Sequence, residues 1–294
     1  MEEIDLKELF SYFVSKIFLM LSIVFVVVGI RAAQSVFPNA TETLVFDTAF
    51  HQTMEEEVYL YPVPYEWYTK YAVRRYGAHG TSHKYVSMRA NEILGNEEAR
   101  LITCHIGNGA SISAVKAGKC VETSMGLTPN AGLMMGTRCG DIDATILPYI
   151  MEETGLTPKE MDTALNKQSG LLGISGVSSD SRDIEDGIKA GDERCILAQK
   201  MYVKRIVDFI AKYYVELGGC DAIIFTAGVG ENSISTRMEV MEKLACLGVK
   251  PDIERNNVRG KETLISADNS KIPVYIIPTN EELMIATDTY NLAK

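Results

Sequence analysis

Two apolar runs that each break on a glycine turn constrain this chain most. Leu101–Val115 (LITCHIGNGASISAV) carries β-branched residues on both sides of Gly107-Asn108-Gly109, the pattern of strand, tight turn, strand. Ile223–Asn232 (IIFTAGVGEN) runs from an apolar strand into a second loop, Gly228-Val229-Gly230-Glu231-Asn232. Glycine lets backbone N–H groups come close to a ligand and permits positive φ. One such turn is explained by a plain hairpin. Two strand-then-glycine loops in one chain suggest two walls of a nucleotide site. Neither loop contains G-x-x-x-x-G-K-[ST] or G-x-G-x-x-G, so a P-loop and a dinucleotide fold are not supported.

The 294 residues suffice for one large or two medium domains with a real core. A net charge of −10 argues against general nucleic-acid binding, which wants a basic face. Anionic substrates must therefore be met by a few placed Arg and Lys side chains. The six cysteines are scattered with no C-x-x-C pairing, which reads as reduced thiols in a cytosolic protein and gives no zinc-ligand spacing. Ile17–Ile30 (IFLMLSIVFVVVGI) is uncharged and almost wholly apolar. Its length favours a core segment over a membrane helix, which needs about 20 apolar residues. A membrane anchor through residues 10–30 is the alternative, provided Lys16 snorkels. A signal peptide is disfavoured because acidic residues outnumber Lys7 in the preceding stretch.

Along the chain, Thr43–Phe50 (TLVFDTAF) reads as a strand interrupted by Asp47, either a working carboxylate or a loop-capping one. Trp67–Tyr76 looks helical. In Gly77–His83, Gly80 places His79 in a loop and His83 in the first turn of a helix capped near Thr81 or Ser82. All four histidines fall between positions 51 and 105, which suggests a site; no H-E-x-x-H pattern supports a metal triad. Thr123–Asp143 holds Arg138 in a glycine-rich segment, where it can fork onto a phosphate or carboxylate or form a loop salt bridge. Thr157-Pro158-Lys159-Glu160 is a capping box, Gly173–Asp183 a polar loop, and Asp192–Leu217 the longest helix, stopped by Gly218-Gly219. Strands at 221–226 and 274–278 and helices at 235–247 and 283–293 complete an α/β alternation.

VFDTAFHQTM (45–54), YGAHGTSHKYV (76–86), TCHIGNGAS (103–111), LMMGTRCGDID (133–143), GISGVSSDSRDIED (173–186), FTAGVGENS (225–233) and IPTNEELMIA (277–286) together resemble the acetate kinase (acetokinase) family, from about Gly29 to the C-terminus. The resemblance implies an α/β, ribonuclease-H-like fold of the actin-like and sugar-kinase superfamily, with the second domain complete and the first mostly missing. The implied partition is an atypical apolar segment at 1–28, first-domain remnants at 29–49 and 283–294, and a nucleotide-binding kinase domain at 50–282. Asp47, His79 and Arg138 match catalytic positions and Glu281 a magnesium position. His105, Ile106, Gly107, Asn108 and Gly109, then Asp180, Ser181 and Arg182, then Gly228, Val229, Gly230, Glu231 and Asn232 match ATP-binding loops.

The chemistry so implied is transfer of the ATP γ-phosphoryl group to acetate, giving ADP and acetyl phosphate, with Mg²⁺, in a cytoplasmic homodimer. Propionate kinase is the near alternative; a non-catalytic nucleotide-binding remnant is the alternative from another class. The last is raised by a departure. The family opens on a strand bearing an Asn-x-Gly-Ser-Ser-Ser-x-Lys phosphate loop, and a substrate-binding arginine follows; neither is found in these 294 residues. Glu55 stands where the family usually has proline, and Ala78 where it has phenylalanine.

Overall fold

The computed structural model describes residues 28–40 and 42–294. Two compact units divide the chain. One is Val45–Ala286; the other contains, among described residues, 28–40, 42–44 and Thr287–Lys294. In the smaller unit residues 28–36 are helical, and Gln34 Nε2 donates to Glu42 Oε2 at 3.0 Å. Most of the apolar run at 17–30, and with it the anchor reading, lies outside the described residues. No helix among the described residues is long and apolar enough to cross a membrane.

The larger unit is built on one six-stranded sheet. Its strands are β1 (Arg100–Ile106), β2 (Ala110–Lys116), β3 (Lys119–Thr123), β4 (Ala222–Thr226), β5 (Thr263–Leu264) and β6 (Val274–Ile276), in the order β3-β2-β1-β4-β6-β5. β1, β4 and β6 are parallel; β2, β3 and β5 run against their neighbours. A hairpin of three strands followed by parallel crossover strands is the ribonuclease-H-like arrangement. The helices are α1 (Glu56–Tyr59), α2 (Tyr65–Tyr71), α3 (Gly80–Leu94), α4 (Ile146–Thr154), α5 (Pro158–Lys167), α6 (Gly170–Ser175), α7 (Ser181–Lys189), α8 (Glu193–Glu216), α9 (Ala227–Asn232), α10 (Ile234–Lys243), α11 (Ile253–Asn256) and α12 (Glu281–Leu292).

Both faces of the sheet are covered, which is why β1 and β4 read as near-continuous apolar runs. Ile102, Cys104, Ile106, Ile223 and Phe225 pack in one core with Ala198, Tyr202, Val203, Ile206 and Ile210 of α8. On the opposite face Leu101, Val115, Ala222 and Ile224 pack with Val86 and Ala90 of α3. That second face changes character along β1. Leu101 is followed two and four residues later by Thr103 and His105, so the end of β1 delivers polar groups while its start delivers core.

Several local expectations are corrected. Thr43–Phe50 is not a strand; it is irregular, turns at Asp47 and enters a 3₁₀ turn at Ala49–Thr53. The helix read at Trp67–Tyr76 is Tyr65–Tyr71, stopped by Ala72 in the left-handed region, so Arg74 and Arg75 lie beyond it. His79 itself is the N-cap residue of α3, at φ 58°, and neither Thr81 nor Ser82 caps it. The polar loop at 173–183 is interrupted by α6 and closes on Asp180, which caps α7 by accepting from the Arg182 N–H. The second glycine segment, Gly228–Asn232, is the short helix α9 rather than an open loop. The capping box at Thr157–Glu160 forms as read, with Thr157 Oγ1 accepting from the Glu160 N–H and Glu160 Oε2 accepting from the Thr157 N–H.

Candidate active site

The parallel strands β1 and β4 are neighbours, so the glycine turns that follow them end up side by side. A Cβ added to Gly107 would lie 3.8 Å from Ala227 Cβ and 4.0 Å from the Gly228 nitrogen. The carboxyl ends of adjacent parallel strands are where α/β sheets bind ligands.

His79 is held from two sides. Its backbone N–H donates to Asp47 Oδ2 at 2.6 Å, and the Gly80 N–H donates to the Asp47 carbonyl at 2.8 Å. A Cβ on Gly80 would come within 2.3 Å of that carbonyl, so only glycine lets the Asp47 turn sit on the start of α3. The His79 ring stacks on His105 at 4.0 Å between centroids, and its Nδ1 meets Ser111 Oγ at 2.8 Å. Ser111 Oγ also meets His83 Nε2 at 2.7 Å. The single Ser111 proton can go to only one ring, so the tautomer of one histidine sets that of the other. His105 Nδ1 is bonded to Ser82 Oγ at 2.8 Å. Burial lowers the His79 pKa; the nearby Asp47 carboxylate opposes that and the Arg138 charge adds to it.

Arg138 reaches the same place from the other wall. The Gly136 N–H donates to the Asn108 carbonyl at 3.0 Å, and the Ser169 and Leu171 N–H groups donate to Thr137 and Met135. These bonds clamp the loop between the β1–β2 turn and α6. A Cβ on Gly109 would lie 3.2 Å from an Arg138 terminal nitrogen and 3.6 Å from His79 Nε2. Glycine at 109 therefore leaves room for both groups over one turn. Arg138 donates to the Pro129 carbonyl at 3.2 Å and forms no carboxylate ion pair among the described residues. The loop-salt-bridge alternative thus has no partner among the described residues, which leaves the guanidinium charge without a carboxylate there.

Beside this centre lies a cavity of about 490 Å³, within the range of small-molecule sites. Gly107, Asn108, Asp180, Ser181, Arg182, Gly228, Val229 and Asn232 line it, so residues of all three glycine or polar segments meet there. Five other residues assigned to the nucleotide loops are not on its wall. Ile106 is core, and Gly230 packs against β1. Gly109 and His105 belong to the Arg138–His79 side. Glu231 Oε1 accepts from the Ala227 N–H at 2.8 Å and from the Thr279 N–H at 3.3 Å, tying α9 to the segment before Glu281. Asp180 and Arg182 pair with each other at 2.5 Å, and those hydrogen bonds hold the Asp180 pKa down at about 2. Glu185, Tyr202, Ser233 and Arg259 also line the cavity and were not singled out from the sequence. Ser111 is a further omission; it lies inside the TCHIGNGAS motif, but only the fold places it between two imidazoles.

Glu281 opens α12, and its proton affinity is raised by burial and then by the neighbouring Asp47 charge. Two carboxylates that repel each other in this way suit a divalent cation. An oxygen-only pair fits Mg²⁺, which takes one or two carboxylates and completes its shell with water and phosphate. Among the described residues no cluster of three or more His, Cys, Asp or Glu groups forms a ready-made metal cage.

Comparison with known proteins agrees with this architecture. The chain is 57% identical over 263 residues to an acetate kinase of Phocaeicola vulgatus, a match covering 89% of this chain and 66% of that relative. The crystal structure of Porphyromonas gingivalis acetate kinase superposes with a TM-score of 0.88 at 50% identity, covering 90% of this chain and 67% of that one. A propionate kinase from Francisella tularensis superposes at 0.83 with 47% identity over the same shares. The chain therefore spans about two thirds of the length of the relatives it matches. The model of the acetokinase family runs from residue 24 to 287, through every element that builds the site, and the chain belongs to that family.

Proposed function

We propose that the site transfers a phosphoryl group between ATP and acetate, forming or consuming acetyl phosphate. The observation that carries this reading is the meeting of the Arg138 guanidinium and the His79 ring over Gly109, at one end of a nucleotide-sized cavity. A carboxylate acceptor is already a nucleophile, so the work required is positioning and charge stabilisation rather than base catalysis. Arg138 and His79 hold the equatorial oxygens of the group in transit. Asp47, fixed by its bonds to the start of α3, orients the acceptor or a metal-bound water. Asp47 and Glu281 would hold Mg²⁺, which when bound neutralises phosphate charge. The names of the relatives favour acetate over propionate, and one methylene in an apolar pocket changes preference by only about 1–3 kcal/mol. Six free thiols suit a reducing cytoplasm, and a homodimer is the assembly proposed for the whole protein.

Since the 294 residues carry no Asn-x-Gly-Ser-Ser-Ser-x-Lys loop, their own turnover is expected to be low. Losing one such donor costs roughly 10²–10³ from a kinase rate of about 1–100 per second. ATP formation from ADP and acetyl phosphate, followed by luciferase light, reads rates that small. The signal is expected to require acetyl phosphate and to vanish in Arg138→Ala. Light that is independent of acetyl phosphate, or unchanged by the substitution in folded protein, contradicts the proposal.

A further inference from the structure

A line of hydrogen bonds runs from the β1–β2 pair to His79. Thr103 Oγ1 lies 3.4 Å from the Ser113 carbonyl and 2.7 Å from His83 Nδ1. Ser111 Oγ lies 2.7 Å from His83 Nε2 and 2.8 Å from His79 Nδ1. Thr103, His83 and Ser111 are fully buried. Each hydroxyl carries one proton, and so does each neutral imidazole. A carbonyl only accepts, so Thr103 donates to Ser113 and accepts from the His83 Nδ1–H. His83 Nε2 then holds the lone pair and accepts the Ser111 proton. Ser111 has no second proton, so His79 must donate through Nδ1. Reversing every link would forfeit the Thr103–Ser113 bond and gain none. The far end favours the same direction. His79 Nε2 and an Arg138 terminal nitrogen would lie 3.6 and 3.2 Å from a Cβ on Gly109, and a lone pair beside a guanidinium is better placed than an N–H.

We infer that Thr103 and Ser111 are positioning residues: through His83 they hold the His79 ring in its Nδ1–H tautomer, with Nε2 offered beside Arg138 above Gly109. The use made of Nε2 rests on the phosphoryl-transfer reading above; the tautomer itself does not. Burial keeps His83 uncharged and lowers the His79 pKa, so near pH 8 each ring holds a single proton. The Nδ1–H bond also fixes the ring plane, so the orientation of a group at the reacting centre is set by a hydroxyl three hydrogen bonds away.

Thr103→Val nearly keeps the side-chain shape and removes that hydroxyl. Nitrogen-15 spectra of the histidine side chains at pH 8, with the His79 signals assigned by their loss in His79→Asn, read which nitrogen carries the proton. Wild type is expected to show Nδ1–H at His79. In Thr103→Val the His83 Nδ1–H loses its acceptor, so the line reverses and the His79 ratio moves about 3- to 10-fold toward Nε2–H, the equivalent of one hydrogen bond. ATP formation from ADP and acetyl phosphate at saturating substrate should fall roughly 10-fold or more, with little change in the Michaelis constants. Thr103→Ser, which keeps the hydroxyl, is expected to retain both the tautomer and the rate. A wild-type ring protonated on Nε2 overturns the inference whatever the variants do, and so does an unchanged His79 spectrum in Thr103→Val. A reversed tautomer with undiminished turnover overturns the positioning role. Absence of ATP formation in the wild type would fall on the phosphoryl-transfer reading, and the spectra would still decide the tautomer.

Discussion

Replacing Arg138 with alanine in a chain complemented by the family's phosphate-loop domain is expected to cut turnover by roughly 10³–10⁵, the range for arginines that meet a phosphoryl group in transit. ATP binding should change far less. Arg138 stands at the Gly109 end of the site, whereas the cavity walls are made by Gly107, Asn108, Asp180–Arg182 and α9. The loop itself should hold its shape, because its clamps are backbone bonds from Gly136, Ser169 and Leu171 that the side chain does not make. Arg138→Lys is expected to recover little, since a point charge cannot fork onto two oxygens. Steady-state kinetics of the three proteins decide the matter. A change confined to the Michaelis constant for ATP would make Arg138 a binding residue and nothing more.

The histidine cluster predicts a steep loss of stability in mild acid. His51 and His83 are fully buried and His105 is half-buried. Burial lowers all three: His51 to about 4, His105 to about 3, and His83 well below the ordinary 6.5. The hydrogen bonds fit the neutral forms. His51 Nε2 donates to the Ala78 carbonyl at 3.0 Å, which leaves Nδ1 to accept from the Cys120 thiol at 3.2 Å. The folded pKa values are depressed, so the unfolded chain binds protons below pH 6.5 while the folded one does not. Stability is therefore complete above about pH 6.5 and falls as the pH drops toward 4. Each neutral histidine accounts for about 2 kcal/mol by pH 5, or about 6 kcal/mol for the three, against a typical total of about 5–15. Urea unfolding at pH 7, 6 and 5 should show the midpoint dropping at each step. A midpoint that stays level across this range would mean that the rings are protonated in the fold.

Much of this was legible before the fold. The Gly107-Asn108-Gly109 turn announced itself because β-branched runs flank it, and β1 and β2 pair across it from Arg100–Lys116 to Ile106–Ala110. Long-range features were not legible. Thr43–Phe50 has the composition of a strand, but no neighbour among the described residues pairs with it, and its backbone instead receives the start of α3 at the Asp47 carbonyl. Gly228–Asn232 reads as a loop because of its glycines. It winds into a helical turn because Ala227 adopts φ 65° and Glu231 accepts from the Ala227 N–H, so the first donor of the turn is satisfied locally.

The ends of β1 and β4 and the cap of α7 are expected to enclose a nucleotide within Val45–Ala286. Calorimetric titration of the folded 294-residue protein with MgADP tests it directly, because every residue assigned to the cavity wall lies within Gly107–Arg259. Saturable heat with one site per chain at or below millimolar ADP is the predicted result. No heat at millimolar ADP from protein with a cooperative unfolding transition would contradict it.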